Sequence, residues 1–192
     1  MPYWWEYLPE RQTLFIQYNQ CADQPGHPFG DFVREVFAFS DSNSVRRLVV
    51  DLRGNSGGNS EVINPLLHGL QARPSLNAKG RLFVLIGPAT FSSGEMAAEA
   101  FSNHYQSWAG VPFQATLVGR PTGGKPNCYG EIKSLTLPNS KLQIYYSIKH
   151  FQTQPHADPP SLEPDITVPT TMDDLLSGRD PVLERVLSLG PG

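Results

Sequence analysis

Two adjacent serines, Ser92 and Ser93, follow the apolar run Phe83 to Ile86 and the turn Gly87-Pro88, and they open a segment that reads as a helix. A serine at such a corner can be a nucleophile. The turn pins its hydroxyl at the end of a rigid strand. The first helical turn offers unpaired N–H groups and the positive end of the dipole, where an oxyanion could form. The same spacing supports a rival role, because Ser92 with Glu95 three residues on is a capping box, in which the hydroxyl faces its own helix. The corner Thr90-Phe91-Ser92-Ser93-Gly94 does not have the Gly-x-Ser-x-Gly spacing of the α/β-hydrolase elbow.

Gly54-Asn55-Ser56-Gly57-Gly58 follows the apolar run Leu48 to Leu52 and precedes a second helical segment. It reads either as a tight strand-to-helix turn, with Asn59 or Ser60 capping the helix, or as a nest of N–H groups that holds an anion or an oxyanion. A third glycine cluster, Gly119 to Lys125, has phosphate-loop spacing up to its lysine. Pro126 then stands where that loop needs a magnesium-binding hydroxyl, and the residues beyond read as loop and strand, so nucleotide binding is disfavoured. Neither cluster has dinucleotide-fold spacing.

These clusters need elements to position them. Apolar runs predict strands at 13–18, Arg47 to Asp51, 81–86 and Ala115 to Val118, and the Leu-Val-Val centre of the second is uniform enough to be covered on both faces. Helices are expected from Phe29 to Phe39, from about Glu61 to Leu70 and from Ser93 to about Trp108. Alternating strands and helices imply βα units and a largely parallel sheet. Ile132 to Leu137 and Leu142 to Ile148, joined by Pro138-Asn139-Ser140, predict an antiparallel hairpin. Residues 152–164 read as loop, 166–168 as a short strand, and Asp173 to Leu187 as two short helices.

The 192 residues suit one domain with its own core. A net charge of -3 without a Lys/Arg run argues against a nucleic-acid partner. No window approaches the roughly 18 apolar residues of a membrane span, and the start at Met1, with three aromatics in the first five residues, has no signal-peptide pattern. That start reads as the middle of a domain from a longer precursor. Cys21 and Cys128 are too few for a disulfide framework.

Four motifs in order, Leu48 to Gly58, Ile86 to Glu95, Val118 to Lys125 and Pro164-Asp165, resemble the C-terminal-processing (tail-specific) serine peptidases, a family that includes the tricorn core protease and the repeats of interphotoreceptor retinoid-binding protein. The likeness runs from about Gln12 to Leu187. It implies a Clp protease/crotonase-like α/β fold of stacked ββα units, with the predicted hairpin added to a largely parallel sheet. It also implies Ser92, rather than Ser93, as nucleophile, and oxyanion donors at Gly57 or Gly58 and at the Ser93 N–H.

The resemblance gives two sources for the base. Lys125 of the Gly124-Lys125 pair matches the processing-protease branch, and a lysine base needs a desolvating site that keeps it neutral. The loop around it looks closer to the tricorn-like and retinoid-binding-like branches. A histidine base in those enzymes would lie upstream of the first strand here, outside this sequence, and Asp158 would stand near their acidic partner. His27, His68, His104, His150 and His156 match no base motif. The implied activity is peptide hydrolysis through a Ser92 acyl-enzyme on a polypeptide substrate, with no metal or organic cofactor. The alternatives are a non-catalytic module holding an apolar ligand or peptide in the same cleft, and a structural interaction lobe. The family's N-terminal cap and PDZ module are absent from these residues, so a missing N-terminal domain or a second subunit is the expected partner. The parent protein is expected to be exported.

Overall fold

The structure, a computed structural model, describes residues 1–102 and 112–190. Its centre is a six-stranded sheet in the order β1-β2-β3-β4-β5-β8. The strands are β1 (Tyr3–Leu8), β2 (Thr13–Tyr18), β3 (Arg47–Asp51), β4 (Leu82–Ile86), β5 (Thr116–Gly119) and β8 (Ile166–Thr167). β1 pairs antiparallel with β2, and every other pair in the sheet is parallel. This mostly parallel α/β architecture is the predicted fold class.

Parallel strands need covering on both faces, and the alternation within each strand supplies it. Leu48, Val50, Leu82 and Val84 point into a large core with the helices α1 (Phe29–Ser42), α2 (Asn64–Gln71) and α3 (Ser93–Phe101). Phe15, Val49, Phe83, Leu85 and Val118 point the other way, onto Val182 and Val186 of α5 (Pro181–Ser188). β3 and β4 are buried along their whole length. The continuous apolar runs have that two-sided burial as their cause.

Several boundaries differ from expectation for local reasons. The helix expected from Glu61 is a 3₁₀ turn at Ser60–Ile63 followed by α2, since Pro65 at the start of α2 removes an N–H and favours a fresh helix start. Asn59, one of two expected caps, accepts the Glu61 N–H. The end of the helix expected to reach Trp108, with His104, lies outside the described residues. β1 was not anticipated. Its Tyr3 ring is buried against Phe29 and Phe32 in the large core and Trp5 packs on Phe39 at its edge, while Trp4 is exposed and packs on Phe15 on the other face.

The hairpin strands β6 (Asn127–Thr136) and β7 (Gln143–Gln152) form a separate two-stranded sheet, longer at its base than predicted. The segment after Gly124-Lys125 is thus loop and strand, as the reading against a phosphate loop requires. Two short helices close the chain as expected, α4 (Met172–Ser177) with a Thr171/Asp174 capping box and α5 with Asp180 as its N-cap. Among the described residues no helix is long and apolar enough to cross a membrane. Cys21 and Cys128 are both free thiols.

Candidate active site

The loop after β3 is organised by Asn55, which is fully buried. Its side-chain amide donates to the Tyr18 carbonyl, its Oδ1 accepts the Gly57 N–H at 3.0 Å, and its own carbonyl accepts the Phe91 N–H at 2.9 Å. One residue therefore ties the end of β2 to both candidate loops, by its side chain to Tyr18 and Gly57 and by its backbone carbonyl to Phe91. Positive φ angles of 110° at Gly57 and 135° at Gly58 turn the chain there. A side chain at Gly58 would collide with the Cys21 carbonyl, at 2.2 Å from its Cβ. Of the two oxyanion candidates, Gly57 has its N–H committed to Asn55, whereas the Gly58 N–H makes no hydrogen bond among the described residues.

Ser92 sits at φ 54°, ψ -125°, the corner of a type II′ turn and a region that non-glycine residues rarely occupy. An ordinary N-cap has extended angles and bonds its own helix. Ser92 makes no such bond, and the rival capping box does not form, because Glu95 turns into the interior instead. The hydroxyl is left half-exposed with no hydrogen-bond partner among the described residues. The Ser93 hydroxyl is used differently: it is buried and donates to the Gly58 carbonyl at 2.7 Å, clamping the glycine loop to the start of α3. The Ser93 N–H, in the first turn of α3, has no helical partner. An unspent hydroxyl thus lies between two loops that each present an unspent N–H.

A mirror-image extended conformation costs glycine nothing. Ser92→Gly is therefore expected to raise stability by about 1 kcal/mol, seen as a higher melting temperature. A fall in melting temperature would mean that the turn stores no strain.

The third loop reaches the site through Thr90 and Glu95. The Thr90 hydroxyl donates to the Leu52 carbonyl and accepts the Gly87 N–H, while the Thr90 carbonyl accepts the Gly123 N–H. Glu95 is 1% exposed, and neither of its carboxyl oxygens meets a donor at hydrogen-bonding geometry. Burial pushes its pKa up to about 8, with the Thr122 hydroxyl opposing the rise and the charge of Glu99 adding to it. That hydroxyl gives little relief, because it donates its proton to the Gly124 carbonyl at 3.3 Å.

Between the ordinary value of 4.5 and about 8 the folded state holds a proton that the unfolded chain has released. Stability should therefore fall as pH rises through that window, by on the order of 1 kcal/mol per unit. Glu95→Gln should flatten this decline in urea melts between pH 5 and 8, and an unchanged slope would assign it to another group.

A cleft of about 340 Å³ runs past Ser92. Gly58 to Glu61 and the start of α3 line it, and Lys125 with the base of the hairpin, including Tyr129 and Phe151, completes it. Ser92, Ser93, Gly58 and Lys125 thus share one cleft. Lys125 is half-exposed and its Nζ lies 2.9 Å from Asp158 Oδ2, an ion pair whose carboxylate is 65% exposed. An exposed ion pair lacks the desolvating surroundings that a lysine base requires. The pairing holds the Asp158 carboxyl below the usual range. Among the described residues no side chain is hydrogen-bonded to Ser92, and His27, His68, His150 and His156 are not among the cleft's lining residues.

Comparison with solved structures places the fold. Across 98% of the chain it superposes on 64% of a candidate peptidase from Parabacteroides merdae, with TM-score 0.62 and 18% identity. Across 97% it superposes on 54% of a candidate S41 protease from Bacteroides fragilis, with TM-score 0.60 and 17% identity. The fold is that of the S41 peptidases. The photosystem II D1 C-terminal processing protease shares it at TM-score 0.58 and 14% identity, over 95% of this chain and 54% of that one. No family model and no curated sequence matches. The chain spans about 64% and 54% of the first two of these S41-fold structures.

Sequence reasoning missed Asn55 and Glu95 as site residues. Asn55 stood inside a motif already singled out, and its bonds to Tyr18 and Phe91 connect positions far apart in the chain. Glu95 enters the sequence reading only as the far end of the rival capping box. The position of a lone acid in the otherwise small and apolar stretch Gly94 to Ala98 was the available signal.

Proposed function

We propose that these 192 residues form one catalytic domain of a serine peptidase, with Ser92 as nucleophile. The observation that carries this is the Ser92 corner, where a strained backbone holds a hydroxyl that has no partner among the described residues, on a cleft that Gly58 and Ser93 also line. Ser92 Oγ attacks the carbonyl carbon of a peptide bond while a base takes its proton. The tetrahedral oxyanion is held by the Gly58 and Ser93 N–H groups, and its collapse releases the amine with that proton and leaves an acyl-serine for water. Gly57 serves by its lack of a side chain, and its N–H serves Asn55.

Lys125 is the base within the chain if substrate binding parts it from Asp158 and dries the cleft. Its exposed ion pair favours a second source, a histidine supplied from outside these residues, with Asp158 as an acidic neighbour. The polypeptide lies along the cleft between the Gly58 loop and the hairpin base, and the parent protein is exported.

A fluorophosphonate probe applied to the complete protein tests the assignment. Labelling is expected to disappear in Ser92→Ala and to survive in Ser93→Ala. The absence of labelling in the complete wild-type protein would sink the peptidase reading. Retained binding of a hydrophobic dye in that protein would then support the alternative, a non-catalytic module, which draws its strength from the lack of any side chain hydrogen-bonded to the Ser92 hydroxyl among the described residues.

A further inference from the structure

At the end of the sheet away from Ser92, Arg11, Arg46 and Arg47 line one open cavity of about 470 Å³ together with residues 187–190 at the end of α5. Parallel pairing sets Thr13 at the start of β2 against Arg47 at the start of β3. Ser92 instead follows the C-terminal end of β4, about 13 Å or more along strands that rise about 3.3 Å per residue. Gln12 fixes the entry to both strands: it takes a left-handed turn at φ 45°, and its carbonyl accepts the N–H groups of Arg46 and Arg47. The three arginines are therefore brought to one place by the backbone.

Arg47 is 5% exposed. One of its terminal nitrogens donates to the Leu189 carbonyl, and its guanidinium carbon lies 5.3 Å from the centre of the Phe83 ring. Its Nε is buried with no partner among the described residues. Burying an unsatisfied charged donor costs free energy, and native structures rarely leave one without an occupant. Arg11 and Arg46 are exposed, and neither has an ion pair among the described residues. Among the described residues the only carboxylate lining the cavity is that of Glu10, which is exposed. Three cations against one acid, one of them rigid and two on mobile stems, form a receptor for a multiply charged oxyanion. Planar guanidinium forks match the oxygens of a phosphate in particular.

We propose that this cavity binds a phosphate group, and that it does so independently of whatever chemistry Ser92 performs. The cavity exceeds a single ion and falls in the range of about 300–1,000 Å³ typical of small-ligand sites, with Pro9 and Leu187 offering apolar wall beside the arginines. The group could thus arrive as the free ion or on a small ester.

Thermal melts of the complete protein test the site, comparing inorganic phosphate and phenyl phosphate with chloride and citrate at matched ionic strength. A phosphate-specific rise of about 2–4 °C near tenfold saturation is expected. Phosphorus NMR line broadening should give an affinity that falls about tenfold or more in the R11A/R46A double variant, which leaves buried Arg47 in place. A larger shift with phenyl phosphate assigns the site to phosphate esters, and a larger one with inorganic phosphate assigns it to the ion. No shift beyond chloride, a shift produced equally by citrate, or full binding by R11A/R46A would overturn the proposal.

Discussion

Gly57→Ala should reduce fluorophosphonate labelling of Ser92 by about 100-fold or more, the scale of losing oxyanion-hole geometry. A β-carbon at position 57 would stand 2.7 Å from Ser92 Cβ, 3.1 Å from its Oγ and 3.1 Å from the Ser93 nitrogen. It would occupy the space between the nucleophile and an oxyanion donor. It would also sit on a residue whose φ of 110° alanine adopts only with strain. Both effects push the Gly58 loop away from the start of α3 and strain the Ser93–Gly58 clamp. The measurement is the labelling rate in the complete protein, with Ser93→Ala as the comparison that loosens the clamp without filling the space. An alanine variant that labels at the wild-type rate would show that the carbonyl oxygen of a bound substrate lies elsewhere.

The second large effect concerns stability. Arg53 bonds Asp51 through Nε and one terminal nitrogen, and Asp180 through both terminal nitrogens at 2.6 and 2.8 Å. Asp51 is 3% exposed in this pair, so it has little water to fall back on. Burial works to lower the Arg53 pKa, and the two carboxylates outweigh it and hold the group above its ordinary value. Arg53→Met leaves both acids facing each other without a cation and should cost about 3–5 kcal/mol in urea unfolding. Arg53→Lys, with a single ammonium in place of the fork, should recover only part of that.

Partial burial pulls the Asp180 pKa up, and the bonds from Arg53 and the Leu183 N–H hold it below the ordinary value. Its contribution is therefore present above the unfolded pKa and is lost as pH falls through the lower folded one. A loss under 1 kcal/mol in Arg53→Met would show that the ion triad adds little to the fold.

β2, β3 and β4 could be read from the sequence because each is buried on both faces and so carries an uninterrupted apolar run. The Ser92 corner was legible as a strand end beside a helix start, yet its meaning turned on a torsion angle that Ser-x-x-Glu spacing cannot reveal. β1 escaped because Tyr3, Trp4 and Trp5 are aromatic on both faces of an edge strand, which hides the period of two. Asn55 escaped because its partners come from β2 and from the turn after β4, and only the folded sheet brings them within reach. The environment of Lys125 was equally hidden, since Asp158 meets it from beyond the hairpin.

The hairpin has a consequence for local motion. Residues 131–150 are exposed apart from half-exposed Ser147, Tyr145 is 65% exposed, and Asn127, Thr153 and Gln154 anchor the base by hydrogen bonds. A two-stranded ladder with so little packing is marginal by itself. Its amides therefore exchange with solvent deuterium through local opening, long before those of β3 and β4, which exchange only when the whole core opens. The two sides of the Ser92 cleft belong to different cooperative units: one rises and falls with the central sheet, and the other opens on its own.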